Sequence, residues 1–187
     1  MTRRDRITVG LLGFFALIAL TLELYFVLFH SDLRARADTQ LFARLFAIYG
    51  AADRHYFDPV SPMALALESI NLFIMQPLCM LLVYAIVRQR PYRWPLQLGV
   101  GAYLAFSVVL YFVVAIVSGY DGMAEHDAKA FALFYGANLP WLVGYGWLAL
   151  DAGIVIARVF DELPLRARRP SRSSPRVTGD GRAPVWT

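Results

Sequence analysis

Four apolar runs, each longer than the roughly 20 residues a helix needs to cross a bilayer, occupy most of this chain of 187 residues. They lie at about 7–30, 63–87, 94–119 and 130–157. The first holds Glu23 as its only Asp, Glu, Lys or Arg, the second only Glu68, the third none and the fourth only Asp151. The expectation is an all-α integral membrane protein, a bundle of four transmembrane helices. Composition agrees: 58% of residues are hydrophobic and 17% charged, and a soluble domain of this length needs more polar surface to cover its core. The first run exceeds the roughly 7–15 apolar residues of a signal peptide. His30-Ser31-Asp32-Leu33-Arg34 follows it without a small-x-small cleavage pattern, so a retained helix is expected.

Arginine placement orients the bundle. Arg3, Arg4 and Arg6 precede the first run, Arg88, Arg90 and Arg93 fill the second loop, and seven arginines from Arg158 to Arg182 follow the fourth run. In the first loop the arginines are matched by aspartates, and the third loop is acidic, with Asp121, Glu125 and Asp127 against Lys129. The positive-inside rule therefore puts both termini and the second loop in the cytoplasm. Loop bias also accounts for the net charge of +4, so no nucleic-acid partner is expected. The layout reads as a basic N-terminus (1–6), a membrane domain (7–160) and a basic tail (161–187). The tail, rich in Pro, Arg, Ser and Gly, is expected to be disordered; it either lies against anionic headgroups or only fixes topology. It carries no KDEL-type signal, so a bacterial inner membrane and the endoplasmic reticulum both fit. Cys79, the single cysteine, reads as a small core residue.

Ionisable residues within hydrocarbon are costly and tend to mark a cavity or a partner. Counted along the helices, Glu23, Glu68, Tyr111 and Asn138 all fall roughly 8–12 Å below the outer interface at about 1.5 Å per residue. Asn71 shares a face with Glu68, and Trp141 with Asn138, each at a spacing of three; Tyr145 extends the Trp141 side by a turn. The pattern describes a pocket with two carboxylates near its outer end and an aromatic wall below. Two close carboxylates in low dielectric cannot both ionise cheaply, so one protonated and one ionised carboxyl form an acid/base pair. The Trp141 face suits a cation. Glu23, Glu68, Asn138 and Trp141 are the candidate catalytic residues; Tyr25 joins Asn71, Tyr111 and Tyr145 as expected substrate-binding residues. A bundle whose polar groups merely bond one another across helices is the alternative. Asp151 is expected to pair with Arg158 or the second loop, and Gln76 to satisfy backbone freed by Pro77. The histidines in and beside the outer loops, His30, His55 and His126, show no metal-ligand spacing and read as surface residues; neither a metal nor a cofactor is expected. Gly99, Gly101 and Ala105 permit close helix packing within the bundle or a homodimer seam.

Six segments carry a resemblance. In order they are "LELYFVLFHSDL", "IYGAADRHYFDP", "LESINLFIMQP", "VRQRPYRW", "LQLGVGAYLAFSVVLYF" and "NLPWLVGYGWLALDA". Together they resemble the emopamil-binding protein family, whose EXPERA domain includes sterol Δ8-to-Δ7 isomerases and the sigma-2 receptor, over roughly residues 18–157. The resemblance implies a membrane fold of four or five helices with a cavity lined by two glutamates, an asparagine and a tryptophan, matching Glu23, Glu68, Asn138 and Trp141. It further implies double-bond migration in a sterol or other polycyclic isoprenoid through a carbocation, and binding of cationic amphiphilic amines that imitate that cation. Two positions depart from the family pattern: Ala19 stands where the isomerases carry a histidine, and Asn71 where a threonine is expected. The first departure keeps open a protein that binds or transports lipid without converting it.

Overall fold

The computed structural model describes residues 1–167, and every regular element among them is helical. Four long helices are α1 (Arg3–Phe29), α4 (Pro62–Val87), α5 (Arg93–Val117) and α6 (Ala128–Ala167), and all are long and apolar enough to cross a membrane. Two short helices, α2 (Leu33–Arg36) and α3 (Leu41–Tyr49), fold within the first loop, followed by a single 3₁₀ turn at Arg54–Tyr56.

Local chemistry sets the boundaries. Thr2 caps α1 in a reciprocal capping box with Asp5, satisfying two otherwise orphaned donors. The helix thus begins at Arg3, and the arginines expected to form a separate terminus belong to its first turns. Ser61 caps α4 with Pro62 following, the position where proline's missing N–H is harmless. The Asp127 carboxylate accepts from the Ala130 backbone at the head of α6. Gly119, with φ +65, ends α5 in the left-handed conformation glycine adopts without penalty. Helix α6 runs past the expected end at 157 to Ala167, so residues 161–167 are helical rather than disordered; the expectation for 168–187 lies outside the described residues.

The bundle holds an apolar core built from Leu12 and Phe15 of α1, Cys79 and Leu82 of α4, Leu104 of α5 and Tyr145 and Leu148 of α6. Cys79 is therefore a core residue. A Cβ on Gly101 would meet the Ala149 backbone nitrogen at 2.6 Å, so this glycine serves the α5–α6 contact within the bundle, whereas Gly99 faces open space. Large apolar side chains such as Leu17, Leu28, Val117 and Val143 stay more than half exposed, as on a bundle whose solvent is lipid.

One end of the bundle is locked by charge. Arg93 reaches Asp5 at 3.0 Å, and both are buried. Asp151 accepts from Arg4 and, at 2.8 Å, from Gln97. The expected partners of Asp151, Arg158 or the second loop, are thus replaced. Because α1 is helical from Arg3 onward, it carries Arg4 alongside α6. At the other end the first loop folds over the bundle, with Phe26, Leu33, Ala43 and Ala64 forming its own core.

Candidate functional site

Two helices change their hydrogen-bonding pattern at the same level. Ala19–Glu23 in α1 and Asn71–Met75 in α4 are π-helical. A π-turn adds a residue to the turn and re-aims the side chains beside it, and such bulges concentrate at functional sites. The first ends on Glu23 and the second begins on Asn71, three residues after Glu68. The distortion in α4 therefore precedes Pro77. The buried Oε1 of Gln76, the residue before Pro77, has no hydrogen-bond partner among the described residues.

The two glutamates line two adjoining spaces. The smaller, about 70 Å³, is bordered by Glu23, Tyr56, Glu68, Asn71, Ser107, Tyr111, Asn138, Trp141 and Tyr145 among others. The larger, about 400 Å³, keeps Glu23, Glu68, Tyr56, Asn138 and Trp141 and adds apolar walls from Phe14, Phe15, Ile18, Leu22, Phe26 and Phe46. That volume falls within the roughly 300–1,000 Å³ usual for small-molecule sites. One oxygen each of Glu23, Glu68 and Asn71 is buried with no hydrogen-bond partner among the described residues. Such orphans are rare in folded proteins and call for an explanation at the site itself.

An aromatic wall backs the carboxylates. The Trp141 ring lies 4.7 Å from Phe15 and 5.9 Å from Tyr145, centroid to centroid. Above it the first loop contributes what the span-by-span reading left out. Tyr56 donates to Glu68 Oε1 at 2.9 Å. Tyr49 lies 3.0 Å, hydroxyl to hydroxyl, from Tyr111 and accepts from Asn138 Nδ2 at 2.8 Å. Tyr111 donates in turn to the buried carboxylate of Asp53. Burial pushes the Tyr49 hydroxyl up to about 12 and the Tyr56 hydroxyl well above its ordinary value, so both stay neutral donors. Tyr49, Asp53 and Tyr56 lie in "IYGAADRHYFDP", a segment the resemblance had marked; a depth count confined to the spans passes over it.

Of the sequence-predicted site residues, Glu23, Glu68, Asn71, Tyr111, Asn138, Trp141 and Tyr145 border the smaller space. Tyr25 does not. Its hydroxyl donates to Gln40 and its ring packs on Phe29 and Phe42. Two residues past Glu23 is roughly 200° around a helix, so Tyr25 faces the first loop. Ala19 is fully buried at 0% exposure and borders neither space. The histidines face backbone carbonyls or a nearby carboxylate: His30 the Val27 carbonyl, His126 the Gly119 carbonyl and His55 the Asp53 carboxylate.

Comparison with known proteins adds a decisive match. Residues 41–152, more than half of the chain, match the family described as EBP: EXPERA (EXPanded EBP superfamily). The chain belongs to the EXPERA family. An isomeliandiol synthase of Ailanthus altissima is 30% identical over 147 residues, covering 79% of this chain and 69% of the relative. A probable 3-beta-hydroxysteroid-Delta(8),Delta(7)-isomerase of Arabidopsis thaliana is 28% identical, covering 70% of this chain and 57% of its own length. The 3-beta-hydroxysteroid-Delta(8),Delta(7)-isomerase of Rattus norvegicus is 29% identical, covering 72% and 58% respectively. This EXPERA chain thus spans between 57% and 69% of these three relatives. The family match takes in Glu68, Asn71, Tyr111, Asn138, Trp141 and Tyr145, while Glu23 precedes it.

Proposed function

We propose that this EXPERA protein is a membrane isomerase that moves a carbon–carbon double bond in a sterol or related polycyclic isoprenoid. The observation that carries the reading is the pair Glu23 and Glu68, which border one cleft together with Asn138 and Trp141 and open onto the apolar space of about 400 Å³. The apolar walls suit a ring system, and a polar corner suits its reacting carbons. A protonated glutamate delivers its proton to one alkene carbon; the π electrons form the new C–H bond and leave a carbocation on the neighbour. The ionised glutamate removes a proton from the next carbon, and that C–H pair becomes the new double bond. Protons and electrons balance without an oxidant or reductant. Trp141 and its aromatic neighbours stabilise the cation through their ring faces, and Tyr56 holds Glu68 in place. The relatives named as sterol isomerases and as an isomeliandiol synthase support this chemistry. Cationic amphiphilic amines then bind as imitations of the intermediate.

Both termini are placed in the cytoplasm on the arginine asymmetry, with the cleft towards the opposite face. The test of function is incubation of detergent-purified protein with a panel of Δ8 sterols and tetracyclic triterpenoids in deuterated water. The expected result is a shifted double bond carrying solvent label; no shift and no label across the panel would remove the isomerase reading.

A second reading, a sterol- or lipid-binding protein without turnover, draws on Ala19, which puts an apolar side chain where the resemblance places a histidine. In that case Glu68→Gln weakens amine binding while no substrate is ever converted by the wild type.

A further inference from the structure

Between the first and third loops lies another space, about 210 Å³, apart from the two that the glutamates line. Asp53, His55, Tyr111, Ser118 and Asp121 are among the residues that border it, and Ser118 and Asp121 are exposed. Among the described residues, Tyr111 alone borders both this vestibule and the carboxylate cleft. Polar groups run unbroken from the surface to that dividing residue. The His55 side chain is 34% exposed, and its Nδ1 lies 3.1 Å from Oδ1 of the buried Asp53. Asp53 Oδ2 accepts from the Tyr111 hydroxyl. The third loop closes over the His55–Asp53 pair with backbone: the Gly122 carbonyl accepts from the Arg54 N–H at 2.8 Å, and a Cβ on Gly122 would collide with Asp53 Oδ1. On the inner side of Tyr111, the cleft of about 70 Å³ exceeds the roughly 10–15 Å³ that one water needs. Three residues on its walls, Glu23, Glu68 and Asn71, each carry a buried oxygen with no hydrogen-bond partner among the described residues, and a buried water needs polar partners of that kind.

We propose that His55, Asp53 and Tyr111 form a proton-exchange path between the aqueous side of the first loop and the glutamate pair, with water in the cleft as its last member. This deepens the isomerase reading and rests on it. Each turnover takes a proton from one glutamate and leaves a substrate proton on the other, and solvent label reaches the product only if the buried pair exchanges protons with water. Outward, a glutamate gives its proton to cleft water, and the water gives one to the Tyr111 oxygen. Tyr111 passes its own hydroxyl proton to Asp53 Oδ2. A half-turn of the Asp53 carboxyl presents that proton to Nδ1 of a neutral His55, which releases one to solvent from Nε2. Only O–H and N–H bonds form and break, and the reverse order brings a proton in.

The experiment needs no substrate. Infrared spectroscopy follows the C=O stretch of a protonated buried carboxyl as the detergent-purified protein is moved from H₂O to D₂O, and Glu23→Gln and Glu68→Gln assign the band. Tyr111→Phe keeps the ring packing on Tyr56 and Phe134, at centroid separations of 5.6 and 5.2 Å, and removes the hydroxyl. It is expected to slow the deuteration shift about 100-fold, the low end of what a positioned proton-transfer group contributes. His55→Gln, at the half-exposed mouth, is expected to slow the shift too, and added imidazole to restore it. Imidazole does nothing for Tyr111→Phe, where the break lies further in. A variant that loosened the fold would speed the shift instead; in that event His55→Gln and its rescue decide. Unchanged exchange in Tyr111→Phe, or a slowing in His55→Gln that imidazole leaves in place, overturns the proposal. A wild type with no protonated glutamate refutes the acid/base pair and the path with it, whereas a glutamate band whose exchange ignores both variants refutes the path alone.

Discussion

Replacing Tyr56 by phenylalanine isolates one contact of the proposed acid/base pair. The Tyr56 ring sits among Phe26, Tyr49 and Tyr111 at centroid separations of 5.3, 5.7 and 5.6 Å, and phenylalanine preserves all three packings. What disappears is the hydroxyl that donates to Glu68 Oε1 at 2.9 Å. The other Glu68 oxygen already lacks a hydrogen-bond partner among the described residues, and the carboxylate loses its bond to the first loop. A hydrogen bond to a charged group contributes about 1.5–3 kcal/mol. At about 1.4 kcal/mol per factor of ten, kcat/KM should fall roughly 10- to 150-fold. Global stability should fall by about 1–3 kcal/mol, because a buried Glu68 oxygen is left without its donor. The assay is double-bond migration in detergent under kcat/KM conditions, with a thermal melt of the same preparation alongside. Unchanged kcat/KM would refute the reasoning.

Other parts of the structure answer to separate tests. Trp141→Leu removes the ring face from the cleft and is expected to weaken a cationic amphiphile by about 0.5–2 kcal/mol, read by competition binding, with little change for an uncharged analogue. Gly101→Leu drives a side chain against the Ala149 backbone nitrogen, which lies 2.6 Å from the first added carbon; overpacking of this kind costs about 1–3 kcal/mol and should appear as a lower melting temperature. Arg4→Ala strips Asp151 of its cation while Gln97 remains at 2.8 Å. The loss should be about 1–3 kcal/mol, below the about 3–5 kcal/mol of a fully buried pair, because the Arg4 side chain is 37% exposed and partly screened by solvent; denaturation of the purified variant checks it.

Much of this was legible from residue order. The four spans follow from apolar length, and the shared depth of Glu23, Glu68, Tyr111 and Asn138 follows from counting a constant rise per residue. The features that escaped depend on what helical counting does not contain. Tyr25 lies at the right depth but on the wrong face, since depth fixes height and not azimuth. Nothing in local composition announces the π-turns at Ala19–Glu23 and Asn71–Met75. Asp151 found Arg4 rather than Arg158 because α1 extends to Arg3, a cap-driven boundary set by Thr2 and Asp5. Tyr49, Asp53 and Tyr56 reach the site only because the first loop folds back over the bundle. Their polar side chains sit in a segment that hydropathy alone marks as connecting loop.

The central claim is that Glu23 and Glu68 together move protons on a bound isoprenoid. Its most direct test is a single-turnover reaction in deuterated water with the wild type, Glu23→Gln and Glu68→Gln, each first shown to retain the bound lipid. The account predicts one solvent deuterium per product in the wild type and no double-bond migration in either variant. Migration at the wild-type rate with either glutamate replaced would contradict it.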